Sequence, residues 1–135
     1  MLKKRIIPIQ LLSNNRLVKT RQFSEPRDVG DPVMSSKVYS SQDADELILL
    51  NINSKHESID ILVSTVEKIS KECFVPLSVG GGIKCLKDAE RLFMAGADKV
   101  IINSAIFSNK NLIKEISDIA GTQAVIVGID VKYVD

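Results

Sequence analysis

The sequence predicts an α/β fold with a parallel sheet, and within that class about half of a closed (β/α) barrel. Short apolar runs alternate strictly with segments of helical period, an order that builds parallel sheets. Polar residues stand directly after these runs, at the carboxyl ends of the predicted strands, where barrel enzymes place their sites. An eight-stranded barrel needs about 250 residues. The 135 residues are therefore expected to form one domain of five strands and four helices, part of a longer barrel.

An open doubly wound sheet is the competing architecture for alternating strands and helices. Its first strand is followed by a G-x-G-x-x-G turn that holds a dinucleotide. Here the first apolar run, residues 5–12, ends in Ser13-Asn14-Asn15, and this turn contains no glycine. The sequence therefore favours the barrel.

Each element has its own local signal. Apolar runs between polar turns predict buried strands, and apolar residues at helical spacing predict helices with one buried face. Asp31 before Pro32 marks a helix start, Ser58 a second one, and Gly96 a helix end. The charged, aperiodic residues 16–30 predict a functional loop. The predicted strands cover residues 5–12, 47–50, 76–79, 100–102 and 124–129, and the predicted helices cover residues 32–39, 59–69, 84–95 and 109–120.

Three consecutive glycines, Gly80 to Gly82, end the third predicted strand. Glycine permits backbone conformations and close approaches that a Cβ would block, so bare N–H groups can face a ligand. Such groups close to a helix N-terminus form an anion site without any positive side chain, which predicts phosphate binding. The alternative is a flexible turn without a ligand.

Composition argues against several classes of function. The net charge of +1 and the lack of a basic tract leave little to neutralise a nucleic-acid backbone, so no nucleic-acid partner is expected. No apolar stretch approaches the roughly 20 residues that cross a bilayer, so no membrane role is expected and the cytoplasm is the expected location. Cys73 and Cys85 fit no zinc or redox spacing and are predicted to be reduced thiols, buried or half-buried. No metal site is predicted.

Eight short motifs, in order along the chain, resemble one known family. They are Arg5-Ile6-Ile7, Arg16-Leu17-Val18-Lys19, Gly30-Asp31-Pro32, Asp45-Glu46-Leu47, Val79-Gly80-Gly81-Gly82-Ile83, Gly96-Ala97-Asp98-Lys99-Val100, Ile102-Asn103-Ser104-Ala105 and Ile129-Asp130. Together they resemble the N-terminal half of the cyclase subunit of imidazole glycerol phosphate synthase. The resemblance implies an eight-stranded barrel without a cofactor that receives ammonia from a glutaminase partner through its core. Such a barrel builds an imidazole ring from a phosphorylated ribulose-type substrate.

The resemblance assigns roles to residues at the two ends of the predicted barrel. At the carboxyl ends of the strands it implies phosphate binding by Gly81, Gly82, Asn103 and Ser104, general acid/base catalysis by Asp130, and a loop lysine that closes over the substrate at Lys19. At the amino ends it implies an ammonia entrance formed by Arg5, Glu46 and Lys99, with Asp98 and Gln123 facing the glutaminase.

Two positions depart from the family pattern. Leu11 stands where the second catalytic aspartate is expected, and leucine cannot exchange a proton. Gln10 cannot replace it, because neighbouring strand residues point to opposite faces. Asn51 also replaces an expected aspartate. These changes point away from a standard cyclase. A divergent subgroup of paralogues accompanies a second glutaminase and a sugar amidotransferase, where acetamidino groups are placed on sugars. The residues that resemble this subgroup are Ile7-Pro8-Ile9, Leu11-Leu12, Val18-Lys19-Thr20 and Phe23.

Three functions remain open at this point. The first is an ammonia-supplying barrel for sugar modification, and the second is a genuine cyclase subunit of histidine biosynthesis. The third is an inactive half-barrel fragment or a structural homodimer, because unpaired first and last strands invite association. The chain is expected to be inactive alone.

Overall fold

A computed structural model describes residues 1–22 and 24–134; Phe23, one of the residues that carry the resemblance, lies outside them. The described residues form one sheet of seven strands with the order β3-β2-β1-β4-β5-β6-β7. The strands are β1 (Ile9–Ser13), β2 (Arg16–Lys19), β3 (Arg27–Gly30), β4 (Leu47–Asn51), β5 (Leu77–Gly80), β6 (Lys99–Ile102) and β7 (Val125–Val127). The pairs from β1 through β4, β5, β6 and β7 are parallel, which confirms the predicted fold class.

The helices lie between the parallel strands in chain order. They are α1 (Pro32–Ser41), α2 (Ile59–Glu72), α3 (Leu86–Ala95), α4 (Ala105–Ser108) and α5 (Leu112–Ala120), and a short 3₁₀ helix covers Thr122–Ala124. The predicted caps are present: the Asp31 carboxylate accepts a hydrogen bond from Met34 N at 2.8 Å, and Ser58 Oγ accepts one from Asp60 N at 3.2 Å. Gly96 ends α3 in the left-handed conformation, at φ 118°.

The core lies between one face of the sheet and the helices. Alternate strand residues such as Leu49 and Val79 are fully buried there against α2 and α3. Gln10 is on this face too, since its side chain is buried and donates a hydrogen bond to Ser36 Oγ of α1 at 3.1 Å. Within residues 1–22 and 24–134 no helix covers the other face, and the apolar side chains on it are half-buried or exposed. They are Ile9, Leu11, Ile48, Leu50, Ile101 and Ile126.

The loop predicted for residues 16–30 is wrong in part, because β2 and β3 form an antiparallel hairpin here. Asn14 and Asn15 connect β1 to β2 with φ values of 51° and 58°, the left-handed geometry of a two-residue hairpin turn. Both new strands are only four residues long and largely exposed. They therefore lack the apolar alternation from which a strand is predicted.

The pairing of β2 with β1 also corrects the prediction that the first strand has an open edge. β2 pairs with Leu11, Leu12 and Ser13 of β1 and leaves only Ile9 and Gln10 on that side of β1, and the outermost strands of the sheet are β3 and β7. The last predicted helix, residues 109–120, is confirmed as α5, but it begins only at Leu112, because Asn109 has an extended backbone at φ −131° and ψ 90°. The short helix α4 before it was not predicted.

The cysteines have different surroundings. Cys73 is a buried thiol, as predicted, and burial, with the neighbouring Glu72 charge, raises its pKa. Cys85 is an exposed thiol, and the prediction of a buried or half-buried side chain is wrong there, because it precedes α3 on the solvent side. Over residues 1–22 and 24–134, no helix has the length and apolar character that a bilayer requires. The same residues contain no cluster of side chains suited to a metal ion.

Candidate functional site

Three charged residues meet at the amino ends of the parallel strands. Glu46, immediately before β4, has a side chain that is only 10% exposed. Its Oε1 lies 2.5 Å from an Arg5 guanidinium nitrogen and 3.6 Å from Lys99 Nζ. Arg5 precedes β1 and Lys99 opens β6. The fold therefore brings these three predicted residues together as one carboxylate shared by two cations.

Asp98 and Gln123 lie at the same end of the sheet, just before β6 and β7. The Asp98 carboxylate accepts a hydrogen bond from Leu77 N at 2.8 Å, and Asp98 N donates to Leu77 O at 2.8 Å. Gln123 is exposed in the 3₁₀ helix. Asp98 thus fixes the start of β5, and Asp98 itself is exposed.

The four predicted phosphate-binding residues lie at the carboxyl ends of two neighbouring strands. Gly81 and Gly82 follow β5, and Asn103 and Ser104 follow β6, where Gly80 is in register with Ile101. Asn103 and Ser104 are exposed. Exposed polar side chains and a glycine backbone on adjacent strand ends suit an anionic ligand.

Gly81 also has a steric reason to be glycine. Its φ is 98°, and an added Cβ would come within 2.2 Å of Asn51 O at the end of β4. The close approach of the two strand ends therefore requires glycine whether or not a ligand is bound. This packing role was outside the two alternatives that the sequence suggested.

Asp130 follows β7 and joins the same group of residues. Asn103 Nδ2 donates a hydrogen bond to Asp130 Oδ2 at 2.9 Å. Asp130 is exposed, so its carboxylate is open to a ligand and to solvent. The predicted acid/base residue and one predicted phosphate ligand are therefore in direct contact.

Leu11 lies on the uncovered face of the sheet, beside Leu50 on β4 and Val18 on β2. The side chain of Gln10 is on the opposite face against α1, as predicted from strand geometry. We call the carboxyl ends of the parallel strands, with Gly81, Gly82, Asn103, Ser104 and Asp130, the mouth of the sheet. The described residues place no carboxylate on β1, so this strand offers no proton donor to the mouth.

Lys19, which was predicted to close over the substrate, lies apart from the mouth residues. It ends β2 opposite Arg27 on β3 and borders an open cleft of about 440 Å³ together with Arg21 and Glu25. Three strands, β1, β4 and β5, separate β2 from β6 in the sheet. The structure therefore does not bring Lys19 together with Asn103 and Asp130.

The hairpin that carries Lys19 is held by an ion pair. Arg16 Nε donates to Asp28 Oδ2 at 2.8 Å, and Asp28 Oδ1 accepts from Gly30 N at 2.9 Å. The hydrogen bond from Arg16, followed by that from Gly30, lowers the pKa of Asp28, and the same pair raises the pKa of Arg16.

A carboxylate that the sequence did not single out lies at the mouth beside Asn51. The side-chain amides of Asn51 and Asn53 donate to Glu57 at 3.1 Å and 2.8 Å. Asn14 N also donates to Glu57. A single glutamate shortly before a helix N-cap gives no sequence signal, because its partners come from a distant hairpin turn and a neighbouring loop.

Comparison with known proteins identifies the family. A family profile described as "Histidine biosynthesis protein" matches residues 5–135. Among curated proteins, an imidazole glycerol phosphate synthase subunit HisF from Methanococcus vannielii is 50% identical over 132 residues, which cover 98% of this chain and 48% of that protein. Proteins of the same name from Exiguobacterium sibiricum and Geobacillus thermodenitrificans are 48% and 44% identical, with 53% and 54% of their length covered.

The chain thus spans about half the length of the curated relatives it matches. The match runs through both groups of polar residues, at the amino ends and at the carboxyl ends of the strands. The chain belongs to the histidine biosynthesis protein family.

Proposed function

We propose that this chain is the N-terminal half of a barrel subunit that accepts ammonia from a glutaminase partner and holds a phosphorylated ligand at its mouth. The ammonia serves amino-sugar or acetamidino-sugar modification in this proposal, and no imidazole ring is closed. The observation that carries the proposal is the contrast between the two ends of one sheet. The amino ends of the strands, here called the floor, carry the charged cluster of Arg5, Glu46 and Lys99, whereas the mouth has Leu11 where the family resemblance implies an aspartate.

The floor cluster suits an entrance for a small polar molecule. The Glu46 carboxylate is nearly buried and pairs with both Arg5 and Lys99, so one negative and two positive groups meet at the amino ends of the strands. A surface ion pair alone would contribute little to stability. Asp98 and Gln123 stand exposed at the same end, which offers polar contacts to a partner seated there.

The mouth suits binding more than ring closure. General acid/base catalysis with two carboxyl groups loses a factor on the order of 10²–10⁴ when one partner is missing. Asp130 is present and accepts a hydrogen bond from Asn103, but β1 contributes Leu11. The glycines after β5 and the polar residues after β6 remain available to a phosphate group.

The uncovered sheet face supports a longer barrel. Ile9, Leu11, Leu50 and Ile101 lie on the face that a closed barrel turns inward. β2 covers only the upper part of the outer edge of β1, from Leu11 to Ser13, so a further strand can still pair below. The relatives of about twice this length are consistent with that arrangement.

The test pairs the complete protein with its glutaminase and follows nitrogen from ¹⁵N-labelled glutamine. We expect glutamine hydrolysis to depend on the partner and the label to reach an amino-sugar acceptor, with no conversion of a phosphorylated ribulose-type substrate. The variant Leu11→Asp is expected to restore some conversion of that substrate. Efficient ring closure by the unaltered protein would overturn the sugar-modification proposal.

A genuine cyclase is the second candidate, and the 44–50% identity to subunits named imidazole glycerol phosphate synthase favours it. It requires another group to take over proton transfer at Leu11. The third candidate, a half-barrel that pairs with a second copy, is tested by light scattering of the purified chain. A stable dimer that binds no glutaminase would support it.

A further inference from the structure

The carboxylate of Glu57 is the centre of a hydrogen-bond network at the carboxyl ends of β1 and β4. It accepts hydrogen bonds from Asn51 Nδ2 at 3.1 Å, from Asn53 Nδ2 at 2.8 Å, and from the backbone N–H of Asn14. Asn51 is buried, with 7% of its surface exposed. Three donors from three separate chain positions therefore meet on one side chain.

The network fixes the turn of the β1–β2 hairpin. Asn14 is the first residue of that turn and is tied to Glu57 through its backbone. Asn15, the second, accepts a hydrogen bond from Thr65 Oγ1 on α2, and Thr65 is almost fully buried. Both turn residues are thus joined to the segment that leads into α2 or to that helix itself.

Asn51 is suited to this network because it carries both a donor and an acceptor. Its Oδ1 accepts from Asn53 N at 2.9 Å, while its Nδ2 donates to Glu57. An aspartate could serve the first contact, but its second oxygen would face the Glu57 carboxylate. Two carboxylates at hydrogen-bond distance repel each other unless a proton is shared. The amide at position 51 is therefore matched to the glutamate at position 57.

We propose that Glu57 and Asn51 are positioning residues that hold the turn of the Lys19-bearing hairpin at the carboxyl ends of β1 and β4. β2 begins at Arg16, directly after the anchored turn, and carries Lys19 at its far end. With the turn held, β2 keeps its pairing to Leu11 and Leu12, and the position of Lys19 follows. The functional part of this inference rests on the proposed function, because Asn51 also lies against Gly81, where that proposal places the phosphate group.

The test measures backbone amide hydrogen exchange in the complete protein and requires neither ligand nor turnover. We expect N51D to increase exchange at Asn14 and at the β2 amides by about tenfold or more, since a hydrogen bond to a charged group is lost and a repulsion added. The swap N51D/E57Q restores a donor facing an acceptor, and is expected to return exchange to within about twofold of the original rates. E57Q alone gives a smaller increase and carries the test if N51D does not fold.

Asn111→Asp is the matched control, because it adds the same charge at an exposed position far along the chain. It is expected to leave the hydrogen-exchange rates of Asn14 and of the β2 amides unchanged. The inference is overturned if the swap fails to restore protection, or if faster exchange stays confined to Asn14 and Asn53 while β2 keeps its protection. Either result would leave the ammonia-transfer proposal untouched, since exchange does not report on it. Conversely, failure of ammonia transfer would not alter these rates.

Discussion

Asn103 Nδ2 donates a hydrogen bond to Asp130 Oδ2 at 2.9 Å, which joins the residue after β6 to the residues after β7. Both side chains are exposed at the carboxyl ends of neighbouring parallel strands. A neutral donor and a carboxylate in contact have opposite effects on an incoming anion. The Asn103 amide can turn to donate to a phosphate oxygen, whereas the Asp130 carboxylate repels it.

This relationship predicts opposite effects for two substitutions. Asn103→Ala removes a donor and should weaken binding of inorganic phosphate by about fivefold. Asp130→Asn removes a negative charge and should strengthen it. Calorimetric titration of phosphate into the complete protein measures both affinities, with Asn111→Ala as the control on an exposed asparagine away from the mouth. Equal affinities in all four proteins would contradict a phosphate site at these strand ends.

The cluster at the opposite end of the sheet predicts a loss of stability. Glu46→Gln leaves Arg5 and Lys99 facing one another with no carboxylate between them. Because Glu46 is nearly buried but Arg5 is 61% exposed, we expect the free energy of unfolding to fall by about 1–2 kcal/mol, between the values for exposed and buried pairs. Urea denaturation measures the change.

The control for the Glu46 substitution is Glu67→Gln on α2, where the same charge is removed from an exposed side chain. It should shift the free energy of unfolding by no more than about 0.5 kcal/mol. A loss as large as that of Glu46→Gln would mean that net charge, and not the three-residue cluster, determines the effect.

The lowered pKa of Asp28 predicts that the stability of the β2–β3 hairpin falls at acid pH. A carboxyl group whose pKa is lower in the folded chain stabilises folding above its unfolded pKa, and this contribution disappears as pH falls through the folded value. Asp28→Asn should therefore lower the melting temperature at pH 7 but have little effect at a pH below the folded pKa. Thermal unfolding of both proteins across this range gives the difference, and a loss of melting temperature that stays constant down to that pH would contradict the prediction.

The sequence predicted the parallel sheet and the two groups of polar residues because those signals are local. A buried strand such as β4 and a cap such as Asp31 are each encoded within a few residues. The β2–β3 hairpin was missed because short exposed strands lack apolar alternation. The Glu57 network was missed because its partners are 43, 6 and 4 residues away in the chain. Only the folded arrangement brings them together.

Gly81 provides the sharpest test of whether the strand ends are held as the structure places them. Gly81→Ala would set a Cβ 2.2 Å from Asn51 O at a φ of 98°, so both the clash and the backbone conformation oppose it. Gly30 is the matched control, because its φ of 142° is also unfavourable to alanine but its added Cβ meets no atom within 4 Å. We expect Gly30→Ala to cost about 1 kcal/mol and Gly81→Ala at least about 2 kcal/mol more in the free energy of unfolding. Equal costs in urea denaturation would show that β4 and β5 do not approach this closely at their carboxyl ends.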